Sequence, residues 1–221
     1  MDKKGTPVIA NLSLLQRRPD ISREQFSGHW IDPHGPLAAQ LPHVKSYVQY
    51  HVVESAWAGD PDPRLAIDGV PALWFASQQE LAEAYATPIL AECNVDSEAF
   101  IGAVSRVTAI PYPHGKAGAA GACHAMFILV GEGGGNAGWR NTVTPLLLEA
   151  GTVAGFTSYE IVSQAAAPNS KIRDLGVAIA GFVQVTFHDR QAARQGSIMI
   201  DVKTPDDCRL ALYEVNPVRF V

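Results

Sequence analysis

Between Arg17 and Val52 the chain gathers His29, His34, Tyr47 and His51 around one helix-to-strand junction. Imidazole and phenol are the side chains best suited to moving protons near neutral pH without help from a metal. The chemistry this suggests is proton transfer, with His34 as the leading candidate to take or give the proton and Tyr47, helped by His51, as acid or oxyanion donor. His29 is a further catalytic candidate. Each has a structural counterpart: a histidine completing a helix C-terminus, a hydrogen-bonded core histidine, or a tyrosine filling a sheet face.

The elements that must hold these groups can be read locally. Ser22 followed by Gln25 forms a capping box, and Pro19 stands just before it, so a helix starts near Ser22. Phe26, Trp30 and Pro33 fall on one face at helical spacing, with His29 on one flank and His34 on the other. Gly35-Pro36 is expected to stop this helix. In the next strand Tyr47, Gln49 and His51 alternate with Val48, Tyr50 and Val52, so the polar three share a face. Asn11 and Ser13 likewise share a face of an otherwise apolar opening strand, which suggests a wet or ligand-lined surface. Trp30 and Trp74 are the candidate apolar walls. Asn11, Ser13 and Gln49 are the candidate polar contacts to a substrate.

Element order repeats along the chain. Strands are expected at Val8–Leu15, Val44–Val53, Val70–Phe75 and near Arg106–Ile110, with helices from Ser22 and over Gln78–Ala86. The second half reads as a strand at Ala125–Val130, a helix at Trp139–Glu149, strands near Phe156–Val162 and Ile179–Phe187, a short weak helix after Asp189, and late strands ending near Arg219. Two rounds of β-α-β-β-α-β give an α+β class built from ferredoxin-like units. The Pro, Gly and Ala composition sets boundaries at 1–112, a linker at 113–122, and 123–221.

Arg17-Arg18-Pro19, Ser22-Arg23-Glu24-Gln25-Phe26, His29-Trp30, His34-Gly35-Pro36-Leu37-Ala38 and Tyr47-Val48-Gln49 occur in that order, followed by Asp68-Gly69-Val70-Pro71-Ala72-Leu73-Trp74-Phe75. From Leu12 to Ile110 the chain resembles the EthD family of dimeric α/β-barrel proteins. The resemblance implies two ferredoxin-like units whose antiparallel sheets close into one barrel, here within a single tandem chain, with room for a further homodimer. It also implies cofactor-free proton-transfer chemistry of the cyclase, dehydratase or muconolactone-isomerase kind, on a small apolar ring or polyketide-like compound. The second half has no His-Gly-Pro-Leu block and carries Thr144-Pro145-Leu146-Leu147 near that place.

Other classes are weighed against the same residues. A formal charge of −5 with no basic run argues against nucleic acid, and no apolar run is long enough to span a bilayer. Cys93, Cys123 and Cys208 are unpaired in spacing, which suits a cytoplasmic setting and gives no zinc pattern. No metal or cofactor is expected. Gly133-Gly134-Gly135-Asn136-Ala137-Gly138 satisfies the dinucleotide fingerprint, with Glu160 near the place of a ribose-binding acid. No run of parallel βα units follows it, so a loop is the preferred reading over an NAD(P)-dependent oxidoreductase. The remaining alternative is a non-catalytic barrel that holds a small ligand or serves oligomerisation.

Overall fold

The first strand, β1 (Ile9–Arg17), sets the architecture, because nearly every residue in it is buried. A strand buried on both faces must have a core on each side. Ala10, Leu12 and Leu14 enter one cluster with side chains from both halves of the chain, whereas Ile9 and Leu15 enter clusters with the first-half helices. The first cluster is the inside of a barrel, and the others lie between the barrel wall and its helices. The computed structural model describes residues 8–57, 62–115, 123–131, 136–165, 171–201 and 208–221.

The other strands are β2 (Ser46–Trp57), β3 (Gly69–Phe75), β4 (Ile101–Gly115), β5 (Cys123–Val130), β6 (Val153–Ala165), the two-residue β7 (Arg173–Asp174), β8 (Ile179–Phe187) and β9 (Arg209–Arg219). Antiparallel pairing runs β1-β3-β2-β9-β5-β8-β6-β4 and returns from β4 to β1, so eight strands close on themselves. β7 adds to β4 in parallel outside this circuit. Within each half the order is that of a ferredoxin-like sheet, β4-β1-β3-β2 and β9-β5-β8-β6. The halves meet through β2–β9 and β4–β6, which are equivalent pairings. Closure therefore occurs inside one chain, leaving no open sheet edge between the halves.

A pair of close contacts repeats with the halves. Trp30 lies against Gly69 of β3, and Trp139 lies against Gly181 of β8. A Cβ on either glycine would come within 2.2 Å and 2.4 Å of the respective indole. Each half thus seats one tryptophan from its first helical segment on a glycine gap in its third ladder strand.

The helices are α1 (Arg23–His29), α2 (Gly35–Ala38), α3 (Gln78–Tyr85), α4 (Pro88–Ser97), α5 (Asn136–Glu149) and α6 (Arg190–Asp201). Four features depart from the sequence reading. α4 fills a stretch in which no element is expected. β4 is longer than expected in both directions, and it carries Pro111, Tyr112, Pro113 and His114 into pairing with β6. The expected linker therefore starts inside a strand, and residues 116–122 lie outside the described residues. α6 has twelve residues and is longer than the short, weak helix expected after Asp189.

The fourth departure concerns the helix break. Gly35 and Pro36 begin α2 instead of ending a helix, with Gly35 at ordinary helical angles. The break falls at Asp32 (φ −148°, ψ 116°), because the ring of Pro33 disfavours helical backbone in the residue before it. Gly35 is needed for a different reason: a Cβ there would meet the Phe220 ring at 2.2 Å.

Candidate functional site

α1 begins as its sequence requires. The Gln25 backbone N–H donates to Ser22 Oγ at 3.2 Å, and the Ser22 N–H donates to Gln25 Oε1 at 2.8 Å. This start orients Phe26 and Trp30, one turn apart, into the sheet, where both are fully buried. Buried Asp68, just before β3, accepts from the Arg17 backbone N–H and pairs with Arg17 and Arg23, tying the end of β1 to the start of α1. His34, after the kink at Asp32, is thereby set over the outer face of β1, β3 and β2.

Between that face and helices α2 and α4 lies a hollow of about 80 Å³. His34, Tyr47, Trp30, Asn11 and Ser13 line it, so one hollow gathers five of the nine residues expected from sequence. A groove of about 320 Å³ along the end of α3 and α4 shares Tyr85, Leu90 and Asn94 with it, and so adjoins it.

His34 is held from behind. Its Nδ1 lies 2.8 Å from one carboxylate oxygen of Asp96, and the other oxygen is 2.9 Å from His29 Nε2. Asp96 accepts from both rings, so neutral His34 carries its proton on Nδ1 and has its Nε2 lone pair free. Burial lowers the His34 pKa, and the Asp96 hydrogen bond opposes that shift without overcoming it. An imidazole kept neutral but backed by a carboxylate is suited to accept a proton. Phe100 fixes the pair further, stacking on His29 at 4.8 Å and meeting His34 edge-on at 5.1 Å.

Tyr47 is held by a second relay. Gln49 Nε2 donates to the Tyr47 hydroxyl oxygen at 2.8 Å and to the Trp30 carbonyl at 2.7 Å. Both amide protons of Gln49 are then committed, so its Oε1 accepts from His51 Nε2–H at 3.0 Å. His51 Nδ1 in turn accepts from Ser27 Oγ at 3.2 Å. Burial takes His51 down to about 4, which keeps it neutral as this chain of bonds requires. The Tyr47 oxygen already accepts one bond, which leaves its own proton available. Burial raises the Tyr47 pKa well above the ordinary phenol value, so the group is a donor and not a phenolate.

Four expected residues do not reach the hollow. Gln49 and His51 lie behind Tyr47, and His29 lies behind Asp96. They orient groups that face the cavity but do not line it. Trp74 is on the wrong face: β3 turns Val70 and Ala72 into the barrel, Trp74 alternates with them, and it packs against the interior cluster. Only Trp30 of the two expected walls stands at the hollow.

Two residues escape the sequence reading. Asp96 belongs to α4, whose residues Leu90, Cys93, Asn94 and Ser97 present one helical face to the hollow. Its signal was Thr87-Pro88, a helix start with Pro in the first turn. Arg106 of β4 is the other. Its guanidinium sits 5.2 Å from the Tyr85 ring centroid and also lines the hollow. Cys93 lines the hollow as an inert thiol, pushed up to about 11 by burial and secondarily by Asp96 and Glu92.

Among the described residues, the second half lacks this arrangement. Where β1 turns Asn11 and Ser13 outward, β5 turns Ala125 and Phe127 into an apolar cluster with Trp139, Val143 and Leu147. A groove of about 250 Å³ does lie beside β5, β9 and α6. It holds no histidine, its Arg190 is paired with Glu214, and burial raises its Cys123 thiol. Greater volume does not make it the better site for proton transfer, because neither a histidine nor a tyrosine lines it. Glu160, the candidate ribose acid, instead pairs with Arg140 and accepts from the Tyr112 hydroxyl at 2.9 Å. The glycines at 133–135 lie outside the described residues. β5 and β6 are not neighbours in the sheet, so the parallel unit that a dinucleotide motif needs is not formed.

The fold and site define an eight-stranded antiparallel barrel of two ferredoxin-like halves, with a polar hollow on the outer face of the first. Residues 18–103 match the model of the EthD domain. The fold of the whole chain is shared with an anthrone oxidase-like protein at 8% identity and TM-score 0.62, covering 98% of this chain and 94% of that one. It is also shared with a protein from Fusobacterium nucleatum named as a candidate monooxygenase, at 6% identity and TM-score 0.57, covering 97% and 98%. A similarly named protein from Lactobacillus acidophilus overlaps at 9% identity and TM-score 0.52, covering 96% and 94%. No curated protein gives a significant sequence match.

Proposed function

We propose that this chain is a proton-transfer enzyme, a lyase or isomerase acting on a small ring or polyketide-like compound at a carbon next to a carbonyl. The observation that carries the reading is the pair of groups at one hollow: a neutral imidazole backed by Asp96, and a protonated phenol whose oxygen is fixed by Gln49. His34 Nε2 takes the carbon-bound proton, and the Asp96 carboxylate stabilises the imidazolium that forms. The Tyr47 hydroxyl donates to the carbonyl oxygen as negative charge moves onto it. Trp30, Leu73 and Leu90 keep the walls apolar, which strengthens both interactions. His34 then returns the proton at a different carbon, or to a leaving hydroxyl, to complete isomerisation or dehydration.

The test follows solvent deuterium into the activated position of a panel of enolisable cyclic ketones, lactones and aromatic β-ketones. Wild-type protein is expected to exchange at least one class, and His34→Ala to lose about a hundredfold or more of that rate. Undiminished exchange by His34→Ala would remove His34 from the chemistry, and binding without exchange in the wild type would favour the ligand-holding barrel.

A second reading is favoured by the whole-chain fold overlap with the anthrone oxidase-like protein. An anthrone has an acidic CH₂ conjugated with its carbonyl, so the same proton removal would start its oxidation. Dioxygen would then be the oxidant, giving a quinone and water. Oxygen uptake with an anthrone, absent with the isomerisable ketones, would select this reading.

A further inference from the structure

The hollow carries a charge that neither half of the proton-transfer machinery uses. His34 faces it neutral, and Tyr47 and Cys93 face it protonated. Asp and Glu are missing from the residues that line it, and Asp96 lies behind His34. The one formally charged side chain on its walls is Arg106. Arg106 Nε and Nη1 are both shut off from solvent, and neither has a hydrogen-bond partner among the described residues. None of the ion pairs formed among those residues includes Arg106. Its guanidinium lies over the face of Tyr85, whose hydroxyl is turned away to donate to Asn11 Oδ1 at 2.6 Å.

A half-buried guanidinium whose Nε–H and Nη1–H are shut off from water and idle is costly, and such groups are rare in folded chains unless something outside the chain completes them. The species that completes a guanidinium best accepts its hydrogen bonds and carries negative charge, and a carboxylate does both. Its place along the sheet gives an orientation. Arg106 is opposite Ser13 on β4–β1, and Tyr47 is opposite Leu73 on β2–β3. β4 and β2 are separated by β1 and β3, three inter-strand steps of about 4.8 Å each, so the two groups rise from opposite ends of the hollow's floor.

We infer that the substrate is a carboxylate, bound with its acid group on Arg106 at the β4 end and its reacting carbonyl between His34 and Tyr47 at the β2 end. This deepens the proton-transfer reading by naming the substrate's class and direction. The acid group fixes register, so the carbon presented to His34 is chosen by its distance from the anion. Bulk beyond the ring extends into the adjoining groove past Tyr85, Leu90 and Asn94.

The test uses binding, so that it fails separately from turnover. Benzoate and benzamide share shape but differ in charge, and their affinities are measured by calorimetry on wild type, Arg106→Met and His34→Ala. Wild type is expected to prefer benzoate by about ten- to a hundredfold, Arg106→Met to erase that ratio, and His34→Ala to keep it. Because Arg106 Nε and Nη1 have no acceptor among the described residues, Arg106→Met is expected to keep or raise Tm, which a structural arginine would not do. The Arg106 Nε–H resonance of the wild type gives a readout free of any variant: benzoate is expected to shift it. A wild-type ratio near one, a ratio kept in Arg106→Met, or an unmoved Nε–H signal would each overturn the inference. Deuterium exchange could still proceed in those cases, and the proton-transfer reading would then stand alone.

Discussion

Replacing Asp96 by Asn separates the charge behind His34 from its shape. In the native site one carboxylate serves two rings, at 2.8 Å to His34 Nδ1 and 2.9 Å to His29 Nε2. An amide offers a single oxygen, so one of the two N–H groups faces NH₂ and loses its acceptor. The hydrogen bond that remains is neutral, and exchanging a charge-assisted bond for a neutral one weakens it by about 1–2 kcal/mol. That difference acts on the imidazolium form, because only the charged ring gains from the carboxylate's charge. At about 1.4 kcal/mol per unit, the His34 pKa is expected to fall by about one unit from a value that burial has already lowered. The assay is an NMR titration of the histidine C2 protons, with His34 assigned from a His34→Gln variant. Linkage adds a second consequence. With a lower folded pKa, the folded state binds fewer protons than the unfolded chain over a wider window below about 6.5, so Asp96→Asn becomes more sensitive to acid. A His34 pKa that stays put or rises would refute the claim that Asp96 acts on His34 through its charge.

Further outcomes follow from the same structure. His51 is held near 4 by burial while an unfolded histidine titrates near about 6.5, so stability is expected to fall as pH drops between those values, by a few kcal/mol at most from this group. Urea denaturation at pH 7 and 4.5 measures it, and His51→Gln should flatten the slope; an equal slope in the variant would count against a neutral His51. Gly69→Ala and Gly181→Ala each force a Cβ onto an indole, so each is expected to cost about 1–3 kcal/mol and lower Tm by several degrees. A neutral result for either would show that its tryptophan is free to move. Cys93, buried with its thiol at about 11, is expected to react with a disulfide reagent only on unfolding, unlike the less buried Cys123 and Cys208; fast labelling mapped to Cys93 in the native chain would contradict its burial.

The parts of the site that sequence revealed are those written in short-range pattern. The capping box at Ser22 placed α1, and strand alternation put Tyr47, Gln49 and His51 on one face of β2 and Asn11 with Ser13 on one face of β1. What sequence missed arises from tertiary contact. Asp96 reaches His29 and His34 across more than sixty residues, from a helix with little amphipathic pattern of its own. Arg106 was hidden inside an apolar strand, where a single cation gives no signal until its missing partners can be counted. Trp74 was misassigned because the strand's phase was not fixed: a shift of one residue sends a side chain to the other face of the sheet. The stop expected at Gly35-Pro36 failed because Pro33 had already broken the backbone one turn earlier, leaving glycine for the close approach of Phe220. His29 and His51 were placed in the right neighbourhood with the wrong task, since residue type alone does not distinguish a group that faces a cavity from one that steadies its neighbour.

The central claim is that His34 and Tyr47 act together on one carbonyl compound. A double-mutant cycle on deuterium exchange tests it most directly, with wild type, His34→Ala, Tyr47→Phe and the double variant measured on the same substrate. Groups that work as a unit are strongly non-additive, so the double variant is expected to be scarcely slower than His34→Ala alone. Losses that simply multiply, or a Tyr47→Phe variant as fast as wild type, would contradict it.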